Sequence, residues 1–394
     1  MTGEKKGCPY KINIVLKSAC LYRRKSLKII MRKLRVEGEF KIKPCFLPTA
    51  IGSVPHINPE RACDLIFDNF KELPFWPQLP KLSFNENMYV QFSENIPARK
   101  IDKKGEKIYF ELENISIEAE RFYEEYISEN LDYFEISPDY ARGFFGFKDK
   151  LKDEQLISKA IGLKGQITGP ISFGLAVFDK NKKPILYDEL FLDILVKALA
   201  KKASWQVKEL KKLKRDGEIL IFIDEPYLMS FGSAFVSLER EKVISLLREV
   251  TSSLDCITGV HCCGNTDWSL FPEAGVDIIS FDAYDYTENL ALYAGELREF
   301  LTKGGILAWG IVPTSFPNPE QIDKEDLEGL ITRLEEKVEL LAAKGIDFEL
   351  LFQQGIVTPN CGAGSLTEEK TEKIFNLTRN ISDRFREKYQ QYIV

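Results

Sequence analysis

The stretch Ile219-Leu220-Ile221-Phe222-Ile223-Asp224 (ILIFID) is a short apolar run that ends in an acidic residue. Such runs alternate with amphipathic helical patterns from residue 46 onward, and this alternation is typical of a parallel α/β fold. The predicted strands are Phe46–Ile51, Leu73–Leu79, Leu163–Thr168, Ile219–Asp224, Ile257–Cys262, Val276–Phe281, Gly305–Ile311 and Phe348–Val357. Eight strands are the number that a (β/α)8 TIM barrel needs. A doubly wound open sheet is the alternative, but no G-x-G-x-x-G turn follows the first strand.

Two helical patterns between these strands are regular enough to predict which residues face the core. In the first, apolar residues recur at the spacing of one helix face: Leu327, Leu330, Leu334, Val338 and Leu341. In the second, predicted over about 237–250, the inward residues are Val243, Leu246, Leu247 and Val250. Both stripes are interpreted as core and carry no functional prediction.

The segment of about 80–160, between the second and third strands, is too long for a simple connection between a strand and a helix. It is rich in aromatic residues. We expect a folded insertion that packs over one end of the barrel. Stacking of a ligand on exposed aromatic rings is the alternative.

The first 45 residues are strongly basic. They hold thirteen Lys and Arg against three acidic residues, whereas the rest of the chain holds 41 basic and 57 acidic residues. We expect a solvated, poorly ordered extension, with contact to RNA, an acidic partner or a membrane surface as the alternative. Met31 is an alternative start. The domain prediction is therefore an extension over 1–45 and a single catalytic barrel over 46–394.

The composition narrows the class of protein. The chain has 394 residues, of which 44% are hydrophobic and 29% charged, and these fractions are typical of a globular enzyme. The net charge of −6 argues against nucleic-acid binding, and no run approaches the roughly 20 apolar residues that a membrane span needs. Eight cysteines without a secretory leader favour reduced thiols and a cytoplasmic location.

Three potential metal ligands follow two of the predicted strands. His261 and Cys263 are two residues apart at the end of one strand, so their side chains point to the same side, and Cys361 follows the last strand. In a barrel these strand ends meet at one mouth. Two thiolates and one imidazole form a known catalytic zinc arrangement with an open fourth position. The structural alternative is a pair of small buried cysteines and a core histidine.

Other polar residues are predicted at the same mouth. Asp224 can hold an amine or cap a helix, and Asp282 can act as an outer acceptor or as the fourth zinc ligand. The amides of Ile51-Gly52-Ser53 can bind a carboxylate, and Gln78 follows the second strand. His56, in the loop after the first strand, is expected to stabilise that loop, with substrate contact as the alternative.

Taken together, these segments resemble the superfamily of cobalamin-independent methionine synthase, corrinoid-dependent methyltransferases and uroporphyrinogen decarboxylase. The resemblance covers about 46–385 and is strongest to the catalytic C-terminal barrel of methionine synthase. The motifs that carry it are Ile51-Gly52-Ser53, Asn85–Glu94 (NENMYVQFSE), Gly165-Gln166-Ile167-Thr168-Gly169-Pro170, Asp224-Glu225-Pro226 and the H-x-C-G-N-like stretch His261–Asn265.

The resemblance implies roles for individual residues. It implies a Zn2+ ion held by His261, Cys263, Cys361 and the acid Asp282. It also implies that Ile51–Ser53 and Gln78 bind the amino-acid substrate, and that Asp224 holds its ammonium group as the catalytic-site acid. Two positions depart from the family pattern, because Gln78 replaces a glutamate and Asp282 is a shorter acid. The decarboxylase branch is disfavoured because no paired arginines follow the first strand.

The predicted function is therefore zinc-dependent transfer of a methyl group to a small-molecule thiol, and homocysteine is the thiol that we favour. Because the resemblance begins near residue 46, without the N-terminal barrel of full-length methionine synthase, we expect a methyl-corrinoid protein rather than folate as the donor. One alternative is methyl transfer to another thiol such as coenzyme M. The other is a non-catalytic zinc protein that binds a corrinoid partner.

Overall fold

The computed structural model describes residues 43–233, 236–314 and 318–393, so most of the predicted extension over 1–45 lies outside the described residues. Apolar, β-branched runs form most of the strands, as expected for residues that pack well on a pleated surface. The strands are β1 (Leu47–Pro48), β2 (Arg99–Asp102), β3 (Lys107–Phe110), β4 (Gly162–Thr168), β5 (Phe178–Asp179), β6 (Glu218–Asp224), β7 (Ile257–Cys262), β8 (Ile278–Phe281), β9 (Ile306–Val312) and β10 (Gly355–Pro359).

Seven of these strands form one curled parallel sheet in the order β1-β10-β9-β8-β7-β6-β4. The remaining strands form a small sheet in the order β2-β3-β5. The parallel α/β class predicted from the sequence is therefore confirmed. The large sheet has seven regular strands, however, and is not the closed eight-stranded barrel that was predicted.

The difference lies in the segment predicted as the second strand, Leu73–Leu79. It lies between the two edge strands and makes only isolated parallel bridges, Phe75 with Lys164 on one side and Gln78 with Ser53 on the other. Pro74 and Pro77 interrupt this segment, and proline has no backbone N–H to donate to a ladder. A regular eighth strand therefore does not form, although the segment occupies the place between the edges.

Two other predicted strands differ clearly from the structure: Phe46–Ile51 forms a regular strand only over Leu47–Pro48, and the last strand begins later than predicted. The predicted strand Phe348–Val357 is in fact the helix Phe348–Gln353 followed by β10. Asp347 begins that helix, because its carboxylate accepts hydrogen bonds from the backbone N–H groups of Glu349 and Leu350. A short apolar run does not distinguish a buried helix from a buried strand.

Helices cover the outer face of the large sheet. Both predicted stripes are buried, apart from Leu327, which is half-buried. The α-helices are Pro59–Asn69, Met88–Gln91, Ser116–Ile127, Arg142–Lys150, Glu154–Lys159, Pro170–Ala176, Glu189–Leu213, Arg240–Ser253, Leu270–Glu273, Thr287–Leu290, Ala294–Thr302, Gln321–Lys324, Leu327–Ala343, Phe348–Gln353 and Glu368–Lys388. None of the helices in the described part of the chain is long and apolar enough to cross a lipid bilayer.

The curl of the sheet creates two separate apolar cores. The large core lies between the sheet and its helices, and the small core lies inside the curl, where Leu73, Leu220, Phe222, Ile257, Ile278, Ile306, Ala308 and Ile356 pack together. Successive residues of β6 alternate between these cores, as the pleat of a strand requires. Side chains that lie inside the curl beyond this small core form the candidate site.

The segment 80–160 contains helices, the β2–β3 hairpin and several 3-10 turns. Six phenylalanines in this segment are buried: Phe92, Phe110, Phe122, Phe134, Phe144 and Phe147. Phe144 packs against Trp205 of the long helix Glu189–Leu213, with ring centroids 5.1 Å apart. These six rings pack in the core and offer no exposed surface for stacking a ligand.

Candidate functional site

Three ligand-type side chains meet at the carboxyl end of the large sheet. His261 lies near the end of β7, Cys263 directly follows that strand, and Cys361 follows β10. One ring nitrogen of His261 and the two sulfur atoms all lie within 4.8 Å of one another. Strands β8 and β9 separate β7 from β10, so the curl of the sheet is what brings these residues together.

The imidazole of His261 is held by the neighbouring strand. Ser280 is the register partner of His261, and its hydroxyl lies 3.0 Å from the ring nitrogen Nδ1. The other ring nitrogen, Nε2, is buried and has no hydrogen-bond partner in the part of the chain that the structure describes. A buried, unpartnered ring nitrogen is costly unless a ligand satisfies it.

The thiols of Cys263 and Cys361 have pKa values that are shifted in opposite directions. The Cys361 thiol, followed by the His261 ring, lowers the pKa of Cys263, although burial acts in the opposite direction. The pKa of Cys361 is raised, first by its hydrogen bond with Cys263 and then by burial. Cys262 lies outside this group, and its thiol donates to the carbonyl of Gly264 at 3.4 Å. The arrangement thus favours one thiolate beside one thiol.

Asp282 lies nearby but is not one of the three grouped residues. Its Oδ2 accepts from the side-chain amide of Asn360 at 3.0 Å, and its Oδ1 accepts from the backbone N–H of Asp285 at 3.0 Å. Burial raises the pKa of this carboxyl to about 7. Asp282 is therefore held as an outer acceptor next to the loop that carries Cys361, and its role as a fourth ligand stays a prediction.

This set of donors fits zinc. One imidazole nitrogen and two thiols, converging within 4.8 Å at a buried site, are borderline-soft ligands of the kind that zinc prefers. Ser280 supplies the outer hydrogen bond that usually orients a metal-binding histidine. The convergence of two sulfur atoms on His261 distinguishes this group from a core histidine, because the buried Nδ1 of His56 also lacks a hydrogen-bond partner among the described residues but has no such sulfur atoms grouped with it.

Two buried groups of opposite charge, Asp224 and Lys164, lie beside these ligands, and each influences the pKa of the other without a direct ion pair between them in the described part of the chain. Asp224 ends β6 and is only 6% exposed, and its Oδ1 has no hydrogen-bond partner among the described residues. Lys164 of β4 is fully buried, with its Nζ over the ring of Phe222 at 4.4 Å and 2.9 Å from the Ile51 carbonyl. Burial raises the pKa of Asp224 and lowers the pKa of Lys164, while each charge partly stabilises the other.

The segment Ile51–Ser53 runs next to the loop that carries Cys361. The hydroxyl of Ser53 accepts from the backbone N–H of Gly364, and the Ser53 carbonyl accepts from Ala363 at 2.9 Å. The backbone N–H groups of Ile51, Gly52 and Ser53 themselves donate to no other group in residues 43–233, 236–314 or 318–393. Three free donors therefore lie beside the candidate metal ligands.

Gln78 belongs to a buried chain of amides. Its Nε2 donates to Oε1 of Gln91 at 2.8 Å, and Nε2 of Gln91 donates to Glu86 at 3.2 Å and to the Tyr140 carbonyl at 2.7 Å. Burial raises the pKa of Glu86 to about 7. The chain links the segment 73–79 to the insertion and fixes which way the amide of Gln78 points.

His56 lies away from the grouped ligands. It is buried, and its Nε2 is 4.0 Å from a carboxylate oxygen of Glu368, at the start of the helix Glu368–Lys388. Burial lowers its pKa, with the nearby Glu368 opposing this effect. The role of His56 in stabilising the loop stays a prediction.

Sequence reasoning missed four polar residues of this region: Lys164, Gln166, Ser280 and Asn360. A signal for the first two exists, because polar residues at alternate positions of an apolar run mark one face of a strand. Lys164 and Gln166 follow that pattern within β4. Ser280 carries no comparable signal, since its contact with His261 depends on the register between β7 and β8.

Comparisons with known proteins give likenesses to solved structures only. No protein-family profile matches the chain, and no curated protein matches it. Among solved structures, the chain is similar to a B12-independent methionine synthase from Shewanella sp. W3-18-1, solved in complex with selenomethionine. The sequence identity is 20%, the TM-score is 0.40, and the alignment covers 62% of this chain and 68% of that chain. The functional assignment therefore depends on the residues of this chain.

Proposed function

We propose that this protein is a zinc-dependent methyltransferase that moves a methyl group from a methyl-corrinoid to the thiol of homocysteine. One observation carries the proposal: His261, Cys263 and Cys361 place three zinc-type donor atoms within 4.8 Å, and the buried Nε2 of His261 has no other partner. Three protein ligands leave a fourth position for a substrate sulfur, which is the pattern of a catalytic rather than a structural zinc site.

In this proposal His261, Cys263 and Cys361 hold the metal, and Asp282 approaches it from the outer side. Bound zinc would supply a Lewis acid that lowers the pKa of the substrate thiol, which is otherwise only a few per cent ionised near neutral pH. Ser280 fixes the ring of His261 through Nδ1. His261 and Cys263 are buried and Cys361 is half-buried, so the metal would lie at the edge of the core with one side open to a substrate sulfur.

Homocysteine, the methyl acceptor, is oriented by hydrogen-bond donors at one end and by a carboxylate at the other. The free N–H groups of Ile51, Gly52 and Ser53 bind its carboxylate, and Asp224 faces its ammonium group. Such positioning supplies much of the rate enhancement in a transfer between two bound molecules. The new S–CH3 bond forms as the cobalt–carbon bond breaks, cobalt keeps the electron pair, and the thiol proton is released.

The surface next to Cys263 suits a large donor. Met229 is 43% exposed, and its side chain packs against Gly264, the residue that follows Cys263. Tyr227, from the same 3-10 turn, is 40% exposed. Exposed apolar side chains of this kind fit contact with a broad, partly apolar ring system. This feature supports a corrinoid donor.

The proposal is tested by measuring zinc content together with homocysteine-dependent demethylation of methylcobalamin. We expect one zinc per chain, methionine as the product, and loss of both zinc and turnover in His261→Ala. His56→Ala is the matched control, since the chain has only two histidines and His56 lies outside the grouped ligands. A His261→Ala protein that keeps its full zinc content contradicts the ligand assignment, and methyl transfer from methyltetrahydrofolate alone contradicts the donor assignment.

A further inference from the structure

Two glutamine side chains converge on one backbone position of the candidate site. Gly52 has a φ of 147°, and a Cβ atom placed on it would lie 2.9 Å from Oε1 of Gln166 and 3.1 Å from Oε1 of Gln78. Both amide oxygens therefore lie close to the α-carbon of Gly52, whose own N–H and those of its neighbours Ile51 and Ser53 donate to no other described group. Only a glycine leaves room for this arrangement.

The orientation of both amides is fixed by their nitrogen atoms. Nε2 of Gln166 donates to the carbonyl of Trp76 at 3.0 Å, and Nε2 of Gln78 donates to Oε1 of Gln91 at 2.8 Å. An amide nitrogen satisfies a carbonyl acceptor, whereas an amide oxygen does not, so neither side chain can be flipped without loss of a hydrogen bond. The oxygen atoms are thus the groups left to point toward Gly52.

The oxygen of Gln166 has no donor. The side chain is fully buried, and Oε1 makes no hydrogen bond within the described ranges of the chain. Gln206 strengthens the position of this residue, because its Nε2 donates to the Gln166 carbonyl at 2.9 Å. A rigid, buried acceptor without a partner is costly for the fold and indicates that a ligand supplies the donor.

The candidate site therefore combines unused acceptors with unused donors. The acceptors are Oε1 of Gln166, Oε1 of Gln78 and Oδ1 of Asp224, and the donors are the N–H groups of Ile51–Ser53. A primary ammonium group carries three N–H donors, and a carboxylate accepts several hydrogen bonds. The two sets thus complement the two ends of an α-amino acid.

We infer that Gln166 is a specificity-determining residue that, together with Gln78, accepts hydrogen bonds from the ammonium group of the acceptor thiol. This inference rests on the proposed function and assigns Gln166 a role in it. Asp224 supplies the negative charge, and the two glutamines supply neutral oxygens. The site consequently selects thiols that carry an amino group over thiols of the same length that lack one.

The same network explains why residue 78 is a glutamine. Both N–H groups of the Gln91 amide are used, one toward Glu86 and one toward the Tyr140 carbonyl, so Gln91 offers its oxygen to residue 78. A carboxylate at position 78 would face that oxygen without a proton between them. Gln91 is therefore a positioning residue, which turns the oxygen of Gln78 toward the candidate site.

The test compares two thiols by calorimetric binding to the full-length, zinc-loaded protein. L-homocysteine carries the ammonium group, and 4-sulfanylbutanoate is the same molecule without it. For Gln166→Leu we expect binding of homocysteine to weaken roughly 10- to 100-fold, since a hydrogen bond to a charged group is lost. Binding of 4-sulfanylbutanoate should change little. Gln166→Met serves as a second variant that preserves side-chain length.

The matched control is Gln353→Leu, which removes another buried glutamine whose Nε2 donates to Glu349 and to the Tyr392 carbonyl. A wild-type protein that binds both thiols equally, or Gln166 variants that weaken both equally, overturns the inference. A protein that shows the expected selectivity in binding but does not transfer methyl groups contradicts the proposed function and leaves the assignment of Gln166 supported.

Discussion

Nδ1 of His261 lies 3.0 Å from the hydroxyl oxygen of Ser280 on the neighbouring strand. Because a histidine ring has two nitrogens, this contact determines that Nε2 is the one left for a ligand. The register between β7 and β8 therefore sets the chemistry of the candidate metal centre. It does so through a serine that follows no recognisable motif.

The contact with Ser280 leads to a prediction about metal affinity. In Ser280→Ala the ring of His261 loses its outer hydrogen bond, and we expect zinc to bind about 10- to 100-fold more weakly, as is common when such a bond is removed. Competition with a chromophoric chelator measures the affinity. Ser382→Ala is the control, because it removes a buried hydroxyl that donates to the Phe46 carbonyl outside the site. Equal zinc affinity in both variants would contradict the role of Ser280.

Asp224 and Lys164 should depend on each other for stability. Removing one of two buried opposite charges leaves the other without its compensating charge, so Asp224→Asn and Lys164→Met should each lower the free energy of unfolding by about 1–3 kcal/mol. The double variant should lose less than the sum of the two. Urea unfolding at pH 7 provides the four free energies of the cycle. Strict additivity would show that the two charges do not interact.

Gly52 should tolerate no side chain. In Gly52→Ala the added Cβ would lie 2.8 Å from Cδ of Gln166, and the backbone has a φ of 147°. We expect a loss of stability of about 1–3 kcal/mol and loss of homocysteine binding, with zinc retained. Gly232 is the control, because its φ is also positive, at 79°, but an added Cβ meets nothing within 4 Å.

In Gly232→Ala, only the backbone penalty of about 1 kcal/mol should remain, and homocysteine binding should be unchanged. Thermal unfolding and calorimetry measure the two effects separately. If both alanine variants lose homocysteine binding to the same degree, crowding at Gly52 is not the cause.

Lys202 should give the protein a stability that rises with pH. It is buried in the helix Glu189–Leu213, near Glu94, Arg99 and Glu135, and burial lowers its pKa to about 7. Between pH 7 and about 10 the unfolded chain therefore binds more protons than the folded protein, so stability rises with pH. The slope is at most ~1.4 kcal/mol per pH unit.

Lys202→Met should lack this rise, and the exposed substitution Lys71→Met should keep it. Urea unfolding at pH 7, 8 and 9 provides the comparison. Parallel pH profiles for wild type and Lys202→Met would mean that the ammonium group is not buried as described.

The sequence predicted strand bounds and side-chain directions correctly where both depend on one strand alone. The run Ile257–Cys262 has the same bounds as β7, and the H-x-C spacing predicts that His261 and Cys263 share one side. The sequence was less informative where partners lie on different strands. Alternation places Lys164 and Gln166 on one face of β4, but which residues they meet depends on how far the sheet curls, and the contact between Asn360 and Asp282 depends on two loops meeting. Such contacts follow from tertiary packing, which a periodicity pattern does not contain.

The segment with Pro74 and Pro77 has a consequence for motion. Across this seam the backbone is held by isolated bridges, among them the bonds from Trp76 to Lys164 at 3.3 Å and from Gln78 to Gly52 at 3.0 Å. Regions with few backbone hydrogen bonds open at lower free energy than regular ladders. We therefore expect the two edges of the curled sheet to separate at this seam at a lower free energy than elsewhere in the sheet. Gly52 and Gln78 flank the seam, so an amino acid bound to both would hold its two sides together.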